Sequence, residues 1–308
     1  MQFCTSARLN RFTSYSHRNI WLVFVIACLL LAVVGCGGSP SSPLQSQAPV
    51  LTPAAPSDPP PSSGSGSSGS GSSPQSSSGS SSSLPPGVPQ GAQVIAAIQS
   101  RPNWQWCTKD LHGHTCASGL GNATSSMSQG HDTPSLTGDS AKFKIGGDTH
   151  YSNALWWKSL DSNGTPKHFV YDVYFYMEDP GAPEALEFDV NQSMNGTRYV
   201  WGSECSYRDT GHWDIWNDET GKWETTDVPC PVVSANEWHH LTWQIERVNG
   251  KVHYISVTLD DKVATVDKYY NPQQHFHGAG LSVAFQMDGD YRQDPYSVWL
   301  DKVSLSAW

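Results

Sequence analysis

The run Glu184-Ala-Leu-Glu187-Phe-Asp189-Val-Asn191-Gln192 sets carboxylates and amides at every second position. In an extended strand Glu187, Asp189 and Asn191 share one face, and Leu186, Phe188 and Val190 share the other. The Cβ atoms of Glu187 and Asp189 then stand about 7 Å apart. Such a pair suits two chemistries. One is attack on a glycosidic bond, which in retaining enzymes needs two carboxyls about 5–5.5 Å apart. The other is hydrogen bonding to a polyhydroxylated ligand. The plain alternative is a solvated strand face paired with nearby Lys or Arg.

Aromatic residues beside polar ones strengthen the second chemistry, because sugar rings stack their C–H faces on indole and phenol. Tyr199-Val-Trp201-Gly-Ser-Glu204, His212-Trp213-Asp-Ile-Trp216-Asn217 and Gln286-Met-Asp288 all have that mixture. Trp201, Trp213 and Trp216 are therefore open between ligand contact and core. Trp156, Trp238, Trp243 and Trp299 sit in or beside apolar runs and read as core. The candidate ligand-binding set is Glu187, Asp189, Asn191, Trp201, Trp213, Trp216, Gln286 and Asp288.

Metal chemistry has weaker support. Asp288-Gly-Asp290-Tyr-Arg-Gln-Asp294 puts three carboxylates in one loop, which would suit Ca²⁺, although an acidic turn is the commoner explanation. His112-Gly-His114, His239-His240 and His275-Phe-His277 have neither Cys-x-x-Cys nor His-Glu-x-x-His beside them, so zinc is not expected. No cofactor is expected. Four cysteines lie beyond the N-terminal segment: Cys107, Cys116, Cys205 and Cys230. Of three pairings, Cys107–Cys116 with Cys205–Cys230 closes the shortest loops, as structural staples in an oxidising compartment.

The elements that must position these residues are strands. Phe169, Tyr171, Val173, Phe175 and Met177 alternate with polar or amphipathic neighbours. So do Leu241, Trp243 and Ile245, then Ile255, Val257 and Leu259, then Leu281, Val283, Phe285 and Met287. A final run spans Val298 to Leu305, and a turn falls near Gln93–Ile98. Ser162-Asn163-Gly164, Pro180-Gly181, Asn195-Gly196, Glu219-Thr-Gly221, Asn249-Gly250 and Asp288-Gly289 separate the strands. Many strands with one apolar face each imply an all-β, two-sheet antiparallel β-sandwich.

Glu237-Trp238-His239-His240-Leu241-Thr242-Trp243, the Asn249-Gly250 turn and Ile255 to Lys262 resemble strands of laminin G-like domains. Val298-Trp-Leu-Asp-Lys-Val-Ser-Leu305 resembles the last strand of family 16 glycoside hydrolases. Together, residues 130–308 resemble the concanavalin A-like lectin/glucanase superfamily, a jelly roll with a convex and a concave sheet. That resemblance implies Glu187 as nucleophile and Asp189 as the helper of a Glu-x-Asp-x-Glu strand. The second Glu is replaced by Asn191 or Gln192, and an amide cannot protonate a leaving oxygen. An acid from another strand would have to be Asp172, Glu204 or Asp288. The Tyr-x-Lys-x-Gly strand of jelly-roll alginate lyases is missing. Binding of an extracellular glycan without hydrolysis is the expected function. A hydrolase or lyase using Glu187 and Asp189, and a structural or adhesive surface protein, are the alternatives.

Composition supports export. Arg8, Arg11 and Arg18 precede an uncharged apolar run from Ile20 to Val34, and Val33-Val34-Gly35-Cys36 resembles a bacterial lipobox. Residues 1–35 are thus expected to be a signal peptide and Cys36 the lipidated residue, holding the chain at the outer membrane or cell surface. An uncleaved anchor and simple secretion are the rivals. Residues 36–90, dominated by Ser, Gly and Pro, read as a disordered linker with a reach of roughly 40 Å. Residues 91–308 form the sandwich domain, expected to be a monomer. Among 18 basic and 28 acidic side chains, the first 90 residues hold only Arg8, Arg11, Arg18 and Asp58. Removing those four leaves 15 basic against 27 acidic, a balance of −12, which argues against nucleic-acid binding.

Overall fold

The computed structural model describes residues 84–107, 123–162 and 165–308. The signal peptide, Cys36, nearly all of the linker, His112, His114, Cys116 and most of the Ser162-Asn163-Gly164 turn lie outside these residues. In chain order the strands are β1 (Gln93–Ile95), β2 (Gln105–Cys107), β3 (Thr124–His131), β4 (Ser140–Gly146), β5 (Asn153–Leu160) and β6 (His168–Met177). Next come β7 (Pro183–Met194), β8 (Thr197–Trp201), β9 (Ser203–Ser206), β10 (His212–Asn217), β11 (Lys222–Pro229) and β12 (Trp238–Val248). The last are β13 (Lys251–Leu259), β14 (Lys262–Tyr270), β15 (Gln273–Gln274), β16 (Gly280–Gly289) and β17 (Tyr296–Ala307). A single turn of 3-10 helix, Ile98–Ser100, follows β1 where the sequence suggested only a turn.

These strands form two antiparallel sheets packed as a sandwich. Sheet A runs β14-β13-β12-β6-β17-β4-β3, with β1 on a free stretch of β17. Sheet B runs β11-β10-β9-β7-β16-β5-β2, with β8 beside β7 and β15 beside β8. The Asn195-Gly196 and Asn249-Gly250 turns have positive φ at both residues, the geometry that tight hairpins need and that Asn-Gly supplies.

The core follows the alternation. Phe143 and Phe175 of sheet A meet Trp156, Phe188 and Phe285 of sheet B, with Phe143 5.0 Å from Phe285 and 5.3 Å from Trp156. Each such ring contributes about 1.5–3 kcal/mol by leaving water. One expected phase is wrong. Gln244 pairs with Ser256 but Ile245 pairs with Tyr254, so Ile255 is the extra residue of a bulge. Tyr254 and Val252 therefore turn inward with Val257, and Ile255 is half-buried.

A second bulge interrupts β17 between Asp301 and Ser304, with Lys302 at φ 50. It turns the Asp301 carboxylate onto the 135–137 loop. There it accepts from Ser135 Oγ at 2.6 Å, Leu136 N at 2.6 Å and Thr137 Oγ1 at 2.7 Å.

Candidate functional site

Antiparallel register assembles one row across sheet B. Asp214 of β10 is opposite Glu204 of β9, Glu204 is opposite Glu187 of β7, and Glu187 is opposite Gln286 of β16. Gln286 in turn is opposite Leu155 of β5. Because Leu186, Phe188, Cys205 and Phe285 point into the core, this row points the other way. Asp189 and Asn191 lie on the same face, opposite Ala284 and Ser282 of β16. Beside them Leu155, Trp157 and Ala284 form a small separate apolar cluster against which Cys107 packs.

Three carboxylates converge here. One oxygen each from Glu187, Glu204 and Asp288 lies within 4.8 Å of the others. Gln286 Nε2 donates to Glu187 Oε1 and, at 3.0 Å, to Asp288 Oδ1. All three acids are buried, Glu187 at 3% exposure, Glu204 at 2% and Asp288 at 0%. Carboxylates are the donors a hard divalent cation prefers, so this trio is where a metal could be held among the described residues. The Asp288–Asp294 loop is not such a place. Asp290 turns to Arg292, which lies 3.1 Å from it and 3.2 Å from Asp294, and Asp288 faces Glu187 instead.

Burial dominates the electrostatics. Desolvation pushes the Asp189 carboxyl up, with the Ser203 N–H and Arg198 opposing and Glu204 adding to the rise. Asp218, at the end of β10, is pushed up to about 7 by burial against the Val200 N–H, Arg198 and the Trp216 indole. The two amides standing where an acid was sought are both engaged. Asn191 Oδ1 accepts from Arg198 Nη2 at 3.2 Å. Gln192 accepts from Arg247 Nε at 3.1 Å and donates to the Pro166 carbonyl at 2.9 Å.

The tryptophans divide differently from expectation. Trp201 is in the core, its Nε1 donating across to the Glu246 and His253 carbonyls at 3.2 Å each. Trp213 is also core, edge-on to Trp243 at 5.4 Å. Neither offers a ring to a ligand, because β8 and β10 turn those positions inward with Tyr199 and Ile215. Trp216 alone of the three is on the polar face. A Cβ on Gly202 would approach Trp216 Cβ to 3.0 Å and Asp189 Oδ1 to 3.5 Å, so glycine is what lets the indole lie beside the acids.

Two tryptophans read as core, Trp238 and Trp299, belong to the outer face of sheet A. They lie opposite Tyr176, which alternates with core Phe175 and Met177. Asp172 is on that face too, 2.9 Å from His240 Nε2 and 3.0 Å from Thr242 Oγ1, so it cannot act with Glu187. His239 is held by Asp260 and the Ser234 carbonyl.

Glu204 comes to the site although it is 17 residues beyond Glu187. Its signal was the parity of Trp201 and Cys205, which turns Glu204 outward. Asp214, Leu155 and Trp157 gave no comparable sign. Cys205 and Cys230 are joined as expected, and Cys107 is disulfide-bonded with its partner outside the described residues.

No family model and no curated protein matches the chain. Among solved structures it is similar to a cellulose induced protein at 11% identity, covering 68% of this chain and 96% of that one, TM-score 0.43. It is also similar to a carbohydrate esterase of the Shiga toxin-encoding bacteriophage phi24B, at 13% identity over 70% and 99% of the chains, TM-score 0.38. A third is an alginate lyase, at 9% identity over 53% and 80%, TM-score 0.38.

Proposed function

We propose that the outer face of sheet B binds a glycan without hydrolysing it. The observation that carries this reading is the cross-strand row Asp214–Glu204–Glu187–Gln286, with Asp189 and Asn191 beside it. Carboxylates and amides at strand spacing match the alternating donors and acceptors of sugar hydroxyls, with Trp216 at the edge. The row is buried, and Trp216 with it. A glycan array paired with a reducing-sugar release assay tests the reading. Binding without release, weakened about tenfold in Glu187→Gln, is the expected result.

One observation favours a second reading, a hydrolase. The 4.8 Å convergence of Glu187, Glu204 and Asp288 supplies, from a neighbouring strand, the second Glu that the β7 pattern lacks. Sugar release that disappears in both Glu187→Gln and Glu204→Gln would establish it and remove the binder reading.

The basic N-terminal segment, the apolar run and Cys36 support export and lipid anchoring, with residues 37–90 as a spacer. In Cys36→Ser, mass spectrometry should show the lipid lost and the protein released from membranes. A variant that stays bound with residues 1–35 attached means an uncleaved anchor.

A further inference from the structure

We propose that the outer face of sheet A is a second, separate ligand surface, built to bind an acidic polysaccharide with carboxylates on its sugar rings. It does not depend on the sheet B reading. Register again draws a straight row: Trp238 of β12 is opposite Tyr176 of β6, Tyr176 is opposite Trp299 of β17, and Trp299 is opposite Lys142 of β4. Four adjacent strands carry it about 14 Å across the sheet. Ring centroids are 5.6 Å apart at both aromatic steps, and Lys142 Nζ lies 4.4 Å over the Trp299 ring. Trp238 and Tyr176 are half-buried and so offer ring surface, whereas Trp299 is covered beneath Lys142.

Charge selects the ligand class. Lys144 projects two residues along β4 from Lys142, and Lys302 rises from the β17 bulge to lie 5.2 Å over Tyr174. Among the described residues no carboxylate is within ion-pair range of Lys142, Lys144 or Lys302. Of the acids near the row, Asp172 is engaged by His240 and Thr242 and Asp301 by the 135–137 loop, while Asp261 lies close enough to act on the Tyr174 phenol. Two ammonium groups thus lie over rings of this face, with a third two residues along β4, on a chain of net charge −10. A uronate ring matches both features, with a C–H face to stack and a carboxylate to meet the ammonium. A nucleic acid shares that sign of charge, but its phosphates lie off the rings that stack, whereas a uronate carries its carboxylate on the stacking ring itself.

The test is titration of the full chain with polygalacturonate at low salt, with a neutral β-glucan and a single-stranded DNA oligonucleotide as comparison probes. Polygalacturonate should bind, and binding should weaken with added salt. Affinity should fall about tenfold in a Lys142→Glu/Lys302→Glu variant and by a similar factor in Trp238→Ala. Thermal melts check folding. Should the double variant unfold, Lys302→Glu and Lys144→Glu, both at exposed positions, carry the same test with a smaller loss. No binding of polygalacturonate, affinity untouched by charge reversal, or equally tight binding of the DNA would each overturn the proposal.

Discussion

Two rows of side chains cross the strands on opposite outer faces of one sandwich, and they treat their carboxylates in opposite ways. On sheet A three acids each meet donors. Asp172 has His240 and Thr242, Asp301 has the 135–137 loop, and Glu246 lies 2.8 Å from both His168 and His253. Hydrogen bonds from that loop outweigh burial and hold the Asp301 carboxyl below its ordinary range. On sheet B the acids converge on one another, and burial pushes Asp189 up. The difference teaches how to sort acidic residues on a strand face. A carboxylate wrapped in donors holds architecture together, whereas desolvated carboxylates facing each other mark a place for chemistry or a ligand.

The largest effect that would break this comparison is in the pH dependence of stability. Between the unfolded carboxyl value near 4 and about 7, folded Asp218 keeps a proton that the unfolded chain has released. Stability should therefore fall as pH rises through that window, by up to roughly 1.4 kcal/mol per pH unit. Asp189 adds in the same direction. Asp301 has the opposite sign: its stabilisation is complete above the unfolded value and disappears as pH falls through its lowered one. Urea midpoints from pH 4 to 8 should decline less steeply in Asp218→Asn, and an unchanged slope would refute the assignment.

Next in size is the Cys205–Cys230 staple, which joins β9 to the chain after β11 across 25 residues. Replacing both cysteines with Ser should cost about 3 kcal/mol in urea unfolding. If both faces belong to one cooperative unit, glycan binding at either face should be lost along the same transition.

A smaller pair of substitutions sharpens the contrast through its signs. At pH 8, Glu204→Gln should be neutral or stabilising by about 1 kcal/mol, because it relieves the crowding of three buried acids within 4.8 Å of one another. Asp172→Asn should destabilise by about 1–2 kcal/mol, because it weakens two existing hydrogen bonds. Equal signs would mean that the two faces are not electrostatically different.

Much of this architecture was legible because alternation reports which way a strand side chain points. Leu186, Phe188 and Val190 against Glu187, Asp189 and Asn191 is correct in every position. The convergence of Glu187 with Glu204 and Asp288 was not legible, since it depends on which strands pair and in what register. Those are long-range choices that no local pattern encodes. Ile255 failed for a related reason: one bulge residue reverses the parity of everything on one side of it. Trp213 misled because its polar neighbours His212 and Asp214 point to the other face, and Trp201 because the polar Ser203 and Glu204 beyond it belong to the next strand. Trp299 misled in the opposite direction, because its neighbours Val298 and Leu300 line the core and it does not, and Trp238 because it heads a strand whose inward residues are Leu241 and Trp243.

The short strand β1 has a mechanical consequence. It holds β17 through three residue pairs, Gln93 with Ala307, Val94 with Ser306 and Ile95 with Leu305. Tension applied through the chain before Gln93 would reach those pairs one at a time, peeling the strand rather than shearing it. Resistance would rise at Ile98, fully buried behind the strand, before the load reached the main sheet. A domain pulled from that end would yield first at a part that carries neither row.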